Sequence, residues 1–433
     1  MTVPETSLQR FILVLTLILV NWRAVAPAIV RVADERWGGV AGTELLVILC
    51  LAVLIVLLLY RAGALGGFLR SWRNNLVLAV FGVFALLSVL WSVSPLASLY
   101  KWGVFALATL VGSYLGFRLR ARGVLHALFW YGAFLAVASL LLAVVVPSIG
   151  RMYFGYDGAW RGIFWHRNHL GTLMALCSLV SGYHLDGTRR LGPRKALPVL
   201  MILLLQVYLV QMTRSATGLL VLLAGGGLFA LAFLWHRTRH KLRRPYYLVA
   251  LGTAGTALAI LGLRIREVLA LLGRNAALSG RIPLWQHVLA EYVSERPILG
   301  YGLGAFWDSL THRVATAQAI GSRLRIEIGD NGWLDVLLGV GGVGLALFLL
   351  VQVVMLQRSI QRIIRGRSSA DSLPLTFLLA ALFANLAFSL FLETESGVWL
   401  MLVALHFLPA PSDEIPHGSS QATQDTGQGF ALS

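Results

Sequence analysis

Runs of apolar, uncharged residues close to the roughly 20 needed to cross a hydrocarbon core about 30 Å thick recur along the whole chain. They fall at Phe11 to Val30, Thr43 to Tyr60, Asn74 to Trp91, Ala97 to Phe117, Val124 to Val146 and Asn168 to Tyr183. They continue at Ala196 to Met212, Ser215 to Trp235, Tyr246 to Leu263, Asn331 to Leu356, Leu373 to Phe391 and Ser396 to Leu408. The expectation is an all-α integral membrane protein of about 12 transmembrane helices, residues 1–408, with the bilayer as its solvent. Composition agrees: the chain is 58% hydrophobic and only 13% charged, which a soluble protein of this length could not sustain. The two cysteines, Cys50 and Cys177, lie inside apolar runs. They offer neither a disulfide framework nor a metal cluster, and packing is their expected role.

Every second loop is basic. Arg61, Arg70 and Arg73 occupy one, Arg118, Arg120 and Arg122 the next, and Arg189, Arg190, Arg194 and Lys195 the third. Arg237, Arg239, Lys241, Arg243 and Arg244 follow, then Arg358, Arg362, Arg365 and Arg367. Short loops rich in Lys and Arg stay in the cytoplasm, so this alternation predicts an even helix count with both termini cytoplasmic. It also accounts for those arginines without any substrate. Arg10, the apolar run after it and Ala24-Val25-Ala26 have the outline of a cleavable signal peptide. Asn21, Trp22 and Arg23 interrupt the approach to that site, and retention as the first span is expected. Residues 409–433, rich in Ser, Gln, Gly and Asp, read as a disordered cytoplasmic tail.

The remaining polar residues gather on the opposite, outer side. One loop, from Pro147 to Arg167, holds Arg151, Tyr153, Asp157, Trp160, Arg161, His166 and Arg167. A tight turn surrounds Thr213-Arg214-Ser215. A long, partly helical loop, residues 264–330 between helices 9 and 10, carries Arg264, Arg266, Arg274, Arg281, Arg296, Arg313, Arg323 and Arg325 against Glu267, Glu291, Glu295, Asp308, Glu327 and Asp330. Topology does not explain arginines there. Guanidinium groups bind phosphate through paired charge-assisted hydrogen bonds, so an anionic, lipid-linked substrate fits the set. Single members could equally pair with the neighbouring carboxylates or lipid phosphates.

Several segments resemble the O-antigen ligase and Wzy-type polysaccharide polymerase superfamily, which includes exopolysaccharide polymerases. They are Ser279-Gly280-Arg281 with Trp285, then Arg296-Pro297-Ile298-Leu299-Gly300-Tyr301-Gly302-Leu303-Gly304-Ala305-Phe306. Trp91-Ser92-Val93-Ser94-Pro95 with Lys101 is similar to an early family segment ending in a basic residue. Arg161-Gly162-Ile163-Phe164 through His166, Asn168 and Gly171 resembles the Gly-x-Phe-x-His-x-Asn segment in its polymerase form. Thr213-Arg214-Ser215 stands in the place of a Ser-Arg pair, and Asp330-Asn331-Gly332-Trp333-Leu334 in that of a His-Asn-x-x-Leu helix start. The similarity runs from Ser88 to Glu395.

The resemblance implies transfer of a glycan from undecaprenyl diphosphate to another glycan or to lipid A core, at the periplasmic face of a bacterial inner membrane, without metal, cofactor or nucleic acid. Arg214 and Arg281 would neutralise the departing diphosphate. Asp330, where the ligases carry His, would take the acceptor's proton, or would only cap the helix starting at Asn331. His166 is the other candidate base, with an unperturbed imidazole titrating near neutrality. Arg161, Lys101, Asn168, Asn331 and Trp285 are candidate substrate contacts; Lys101 could instead snorkel. Trp160, Trp165, Trp307 and Trp333 could stack on sugars or form an interfacial belt. A transporter or flippase of a lipid-linked glycan is the alternative, expected to show midplane charges and interrupted helices, neither evident in the sequence.

Overall fold

The computed structural model describes residues 63–119, 121–153, 158–238, 281–321, 326, 328–366, 368–392 and 397–411, and most of 50–60. The expected spans Phe11–Val30 and Tyr246–Leu263, the signal-like segment, most of the tail and residues 264–280 lie outside them. Helices form where the remaining apolar runs stand. They are α1 (Leu65–Arg73), α2 (Leu76–Leu87, extended by a 3-10 turn to Trp91), α3 (Pro95–Arg118), α4 (Ala121–Val145), α5 (Arg167–Thr188), α6 (Pro193–Met212) and α7 (Ala216–Thr238). After the undescribed stretch come α8 (Arg281–Val288), α9 (Leu310–Ala319), α10 (Gly332–Arg365), α11 (Leu373–Asn385) and α12 (Val398–His406). A two-stranded ribbon pairs Arg151–Met152 with Ala159–Trp160.

Among the described residues five helices, α3, α4, α6, α7 and α10, are long and apolar enough to cross a bilayer, and α1 with α2 would add a sixth although the two meet at 88°. The Asn168–Tyr183 run forms α5, whose 22 residues lie at the centre of the bundle, packed against α4, α6, α7 and α11, and run from the His166 end to the Asp186 end. The Leu373–Phe391 run is helical only to Asn385. There the buried Asn385 Oδ1 accepts from Leu390 N at 3.0 Å, satisfying backbone that leaves the helix inside the protein. The 9 residues of α12 span about 13 Å at 1.5 Å rise per residue, too short to cross alone. They lie against α3 because Gly112 and Gly116 present bare backbone: a Cβ on Gly116 would stand 2.4 Å from Ala404 O. This small-xxx-small spacing is how membrane helices approach closely.

The helix α10 is interrupted, which the continuous run Asn331–Leu356 did not suggest. Gly341 adopts φ 66° and ψ −172°, and the carbonyls this frees, Leu338 O and Gly339 O, accept from Tyr301 N and Gly302 N, each at 2.8 Å. In return Gly342 N donates to Pro297 O at 2.8 Å and Val343 N to Ile298 O at 3.3 Å. A Cβ on Gly341 would meet Ile298 O at 2.1 Å, so only glycine fits. The Pro297–Gly304 turn is thus stitched into the break. It is fixed on its far side by Trp91 Nε1 donating to Leu299 O (2.8 Å), Val93 N to Tyr301 O (3.0 Å) and Leu303 N to Ser88 Oγ (3.1 Å).

The short basic loops meet at one end of the bundle. Arg358 donates to Asn75 Oδ1 at 2.7 Å and to Asn74 O. Arg362 pairs with the buried Asp371 at 3.1 Å, and Asp186 holds both Arg189 and Ser369 at 2.5 Å. Arg189 and Arg237 both lie over Phe233. Cys177 is buried as expected, whereas Cys50 is exposed, so packing describes only the first.

Candidate active site

At the other end α5, α7, α8 and the start of α10 bring their first residues together. His166 is the N-cap of α5, its Nδ1 accepting from Asn168 N at 3.2 Å. Asn168 Oδ1 in turn accepts from Ser215 Oγ at 2.9 Å, and Ser215 Oγ accepts from Gly218 N at 3.1 Å at the start of α7. Across this junction a Cβ on Gly218 would lie 2.7 Å from the Gly171 backbone, so the two helices touch main chain to main chain. Arg214, between them, is exposed and in the left-handed region at φ 50°, and its carbonyl accepts from Arg167 Nη1 at 2.9 Å. The turn is therefore locked to α5 while the Arg214 side chain faces outward.

Arg281 opens α8 and is buried, its Nε 3.1 Å from Asp330 Oδ2. Among the described residues its Nη1 and Nη2 form no hydrogen bond to protein. Asp330 sits at φ 51°, a conformation that Asp, Asn and His tolerate better than most residues. Burial pushes its carboxyl above the ordinary carboxylate value, and the Arg281 charge and hydrogen bond pull it partly back.

Asp330 is not the helix cap. Asn331 caps α10, its Oδ1 accepting from Trp333 N at 3.1 Å and Leu334 N at 3.3 Å. From sequence, Asp330 is the expected cap of a helix starting at Asn331; the helix starts one residue later, at Gly332, and the Asp330 carboxylate, at a left-handed residue, meets Arg281 instead.

His166 stands in the field of the same cations. Burial first, then the charges of Arg167, His169, Arg281 and Arg161, lower its imidazole to about 3. It does not titrate near neutrality, as an unperturbed imidazole would, and is a neutral, weakly basic group in this setting. Arg161 is buried and donates from Nε to Ile149 O at 2.7 Å, closing the Pro147–Arg167 loop on itself. Trp285 donates its Nε1 to Gly329 O at 2.8 Å, so that N–H is committed to protein rather than open to a sugar. Lys101 packs on Gly304 and lines a cleft with Trp307, Ile328, Gly332, Asp335 and Ser389, beside the Asp330 segment. Trp160 and Trp307 are buried, Trp333 packs on Phe348 and Phe391, and Trp165 stays exposed.

Two residues outside the expected set belong to this end. Arg167 joins Arg214 to the His166 cluster, and Asp335 gathers donors beneath Asp330. Arg167 reads as one of many loop arginines, and Asp335 as a charge near a helix end that, with His166 and Asn168, leans toward the polymerase form; neither reading gives the residue a place in the site.

A polytopic helical membrane protein in which a buried guanidinium, Arg281, pairs with Asp330 near His166, Arg161 and Arg167 at one end of the bundle is what the fold and geometry define. Residues 199–349, which span Arg214, Arg281 and Asp330, match the O-antigen ligase family. The chain is also 25% identical over 328 residues, 73% of its length and 72% of the relative's, to the exopolysaccharide production protein ExoQ of Rhizobium meliloti (strain 1021). Both matches are similarities to the superfamily of O-antigen ligases and Wzy-type polysaccharide polymerases, and they support the resemblance read from the sequence. Lys101, Arg161, His166 and Asn168 precede the residues matched to the family and stand on the geometry alone.

Proposed function

We propose that the protein is a glycosyltransferase of the bacterial inner membrane that moves a glycan from undecaprenyl diphosphate to an acceptor sugar hydroxyl on the periplasmic side. The observation that carries this is Arg281: buried, held through Nε by Asp330, and forming no hydrogen bond to protein through Nη1 or Nη2 among the described residues. As the anomeric C–O bond breaks, its electron pair leaves with the diphosphate, and Arg281 with Arg214 stabilises the charge that builds there. The acceptor oxygen forms the new bond to the anomeric carbon and gives its proton to Asp330, whose burial lifts its basicity toward the useful range. Among the described residues no group of His, Cys, Asp and Glu is placed to hold a metal, and the arginines supply the positive charge that a metal would. The printed function of the relative, exopolysaccharide production, favours polymerisation over ligation to lipid A core.

The alternative, a transporter or flippase, gains one feature from the structure, since α10 is interrupted after all. In transporters an unwound segment exposes carbonyls to ions. Here Leu338 O and Gly339 O are consumed by Tyr301 N and Gly302 N, so the break seats a loop.

Protein reconstituted in vesicles with an undecaprenyl-diphosphate oligosaccharide is expected to transfer glycan to acceptor in the presence of EDTA. Complete loss restored by Mg²⁺ or Mn²⁺ would reject metal independence, and transbilayer movement of the donor without glycan transfer would favour the flippase.

Orientation has its own test. With the exposed Cys50 removed, a cysteine introduced by Ala317→Cys on α9 is expected to react with a membrane-impermeant maleimide in cells whose inner membrane is intact. Reaction only after permeabilisation would place the Arg281 end in the cytoplasm and overturn the periplasmic assignment.

A further inference from the structure

Gly329, immediately before Asp330, is gripped on both sides of its peptide. Its N–H donates to Asp335 Oδ1 at 3.1 Å and its carbonyl accepts from Trp285 Nε1 at 2.8 Å. Asp335 Oδ1 also accepts from Trp307 Nε1 at 2.7 Å, and its other oxygen accepts from Ser389 Oγ. One carboxylate therefore joins the turn after Gly304, the approach to Asp330 and the chain beyond α11. The fit leaves no slack, since a Cβ on Gly329 would lie 2.5 Å from Asp335 Oδ1. Among the described residues the Asp330 side chain makes one directional contact, to Arg281 Nε, and its own backbone is in the left-handed region. A residue so placed takes its position from the backbone on either side, and the backbone before it is held by Asp335 and Trp285.

We propose that Asp335 is a positioning residue for the transfer reaction, clamping the Gly329 peptide together with Trp285 so that the Asp330 carboxylate meets Arg281. The inference rests on the reading of Asp330 as the proton acceptor. Asp335 touches no reacting atom. Its carboxylate is needed for its geometry, one oxygen taking two N–H donors while the other takes a hydroxyl. The charged group facing Asp330 is Arg281, and around Arg281 stand His166, Arg167 and Arg161, so releasing the clamp changes what Asp330 feels mainly through the distance to Arg281.

The sign follows from the two effects on Asp330. Burial raises its pKa and the Arg281 contact lowers it, so loosening that contact leaves burial less opposed and the pKa rises further. A base works only when deprotonated, so the acid limb of the pH–rate profile must move to higher pH. Asp335→Ala is expected to lower transfer by roughly tenfold to a hundredfold, the scale on which small misplacements cost rate, and to move the acid limb to higher pH. Asp335→Asn keeps an oxygen toward Trp307 and Gly329 and turns its amide to Ser389 Oγ, which can accept; it should recover most of the rate and return the limb toward its original position. Trp285→Phe removes only the N–H bonded to Gly329 O and is expected to shift the limb in the same direction as Asp335→Ala.

The measurement is the pH–rate profile of glycan transfer from the undecaprenyl-diphosphate donor, with membrane yield recorded for each variant. If Asp335→Ala fails to accumulate, Trp285→Phe carries the decision alone. A reduced rate with an unmoved acid limb would make Asp335 and Trp285 packing residues and overturn the proposal, as would a normal rate. Asp330→Asn run alongside separates the two readings. If it transfers normally, the role of Asp330 has failed; if it is impaired while the clamp variants keep the original profile, only the clamp has failed.

Discussion

Replacing Arg281 by alanine is expected to cut glycan transfer by about 10²-fold to 10³-fold or more, the range seen when a preorganised donor to developing negative charge is removed from a dry site. Arg281→Lys should fall between alanine and the native residue. A lysine ammonium keeps the charge, but it is a single point, whereas the native guanidinium faces Asp330 with Nε and leaves Nη1 and Nη2 for a phosphate. One ammonium cannot fill both edges at the native spacing. Initial rates on the lipid-diphosphate donor, with membrane yield and thermal stability alongside, read the effect. Transfer near the native rate by Arg281→Ala at normal yield would remove the guanidinium from the reaction.

Asp330→Asn should lower transfer by roughly 10²-fold or more while leaving the fold intact. Each half of that expectation has its own structural ground. The fold survives because Asn331 holds the α10 cap, because asparagine accepts the left-handed conformation as readily as aspartate, and because an amide oxygen can still receive Arg281 Nε. A raised carboxyl pKa also means that the ionised form is the costly one in the folded protein. Its stability contribution is present below the ordinary carboxylate range and is lost as pH rises through the raised value. The rate falls because an amide cannot accept the proton. Asp330→His is the informative partner: histidine is also tolerated at positive φ, and the resemblance to the ligases places an imidazole there. Near-normal transfer by Asp330→Asn would leave Asp330 as a buttress for Arg281. His166, at a pKa of about 3, would be a poor replacement as base.

The apolar runs determined most of the helices, because in a bilayer a run of that length has no alternative that satisfies its own backbone. The alternation of basic loops was equally legible, and those within the described residues converge at one end through Arg358, Asp186 and Arg237. Residue type and order also singled out Arg281, Arg214, His166 and Asp330, since arginines on the outer side have no topological reason to be there. What local pattern could not decide was which apolar helices lie at the centre of the bundle and which are cut short. The α5 run and the α12 run have similar composition, yet one is a 22-residue helix enclosed by its neighbours and the other is a 9-residue helix held by Gly112 and Gly116 of α3. Nor could it decide the roles of neighbouring polar residues. Whether Asp330 or Asn331 caps α10, and whether Gly341 breaks it, depend on hydrogen bonds to Arg281 and to Tyr301 and Gly302, partners about forty to fifty residues away in the chain. Backbone donors and acceptors must be satisfied somewhere, and for a broken helix only the tertiary structure supplies the partner.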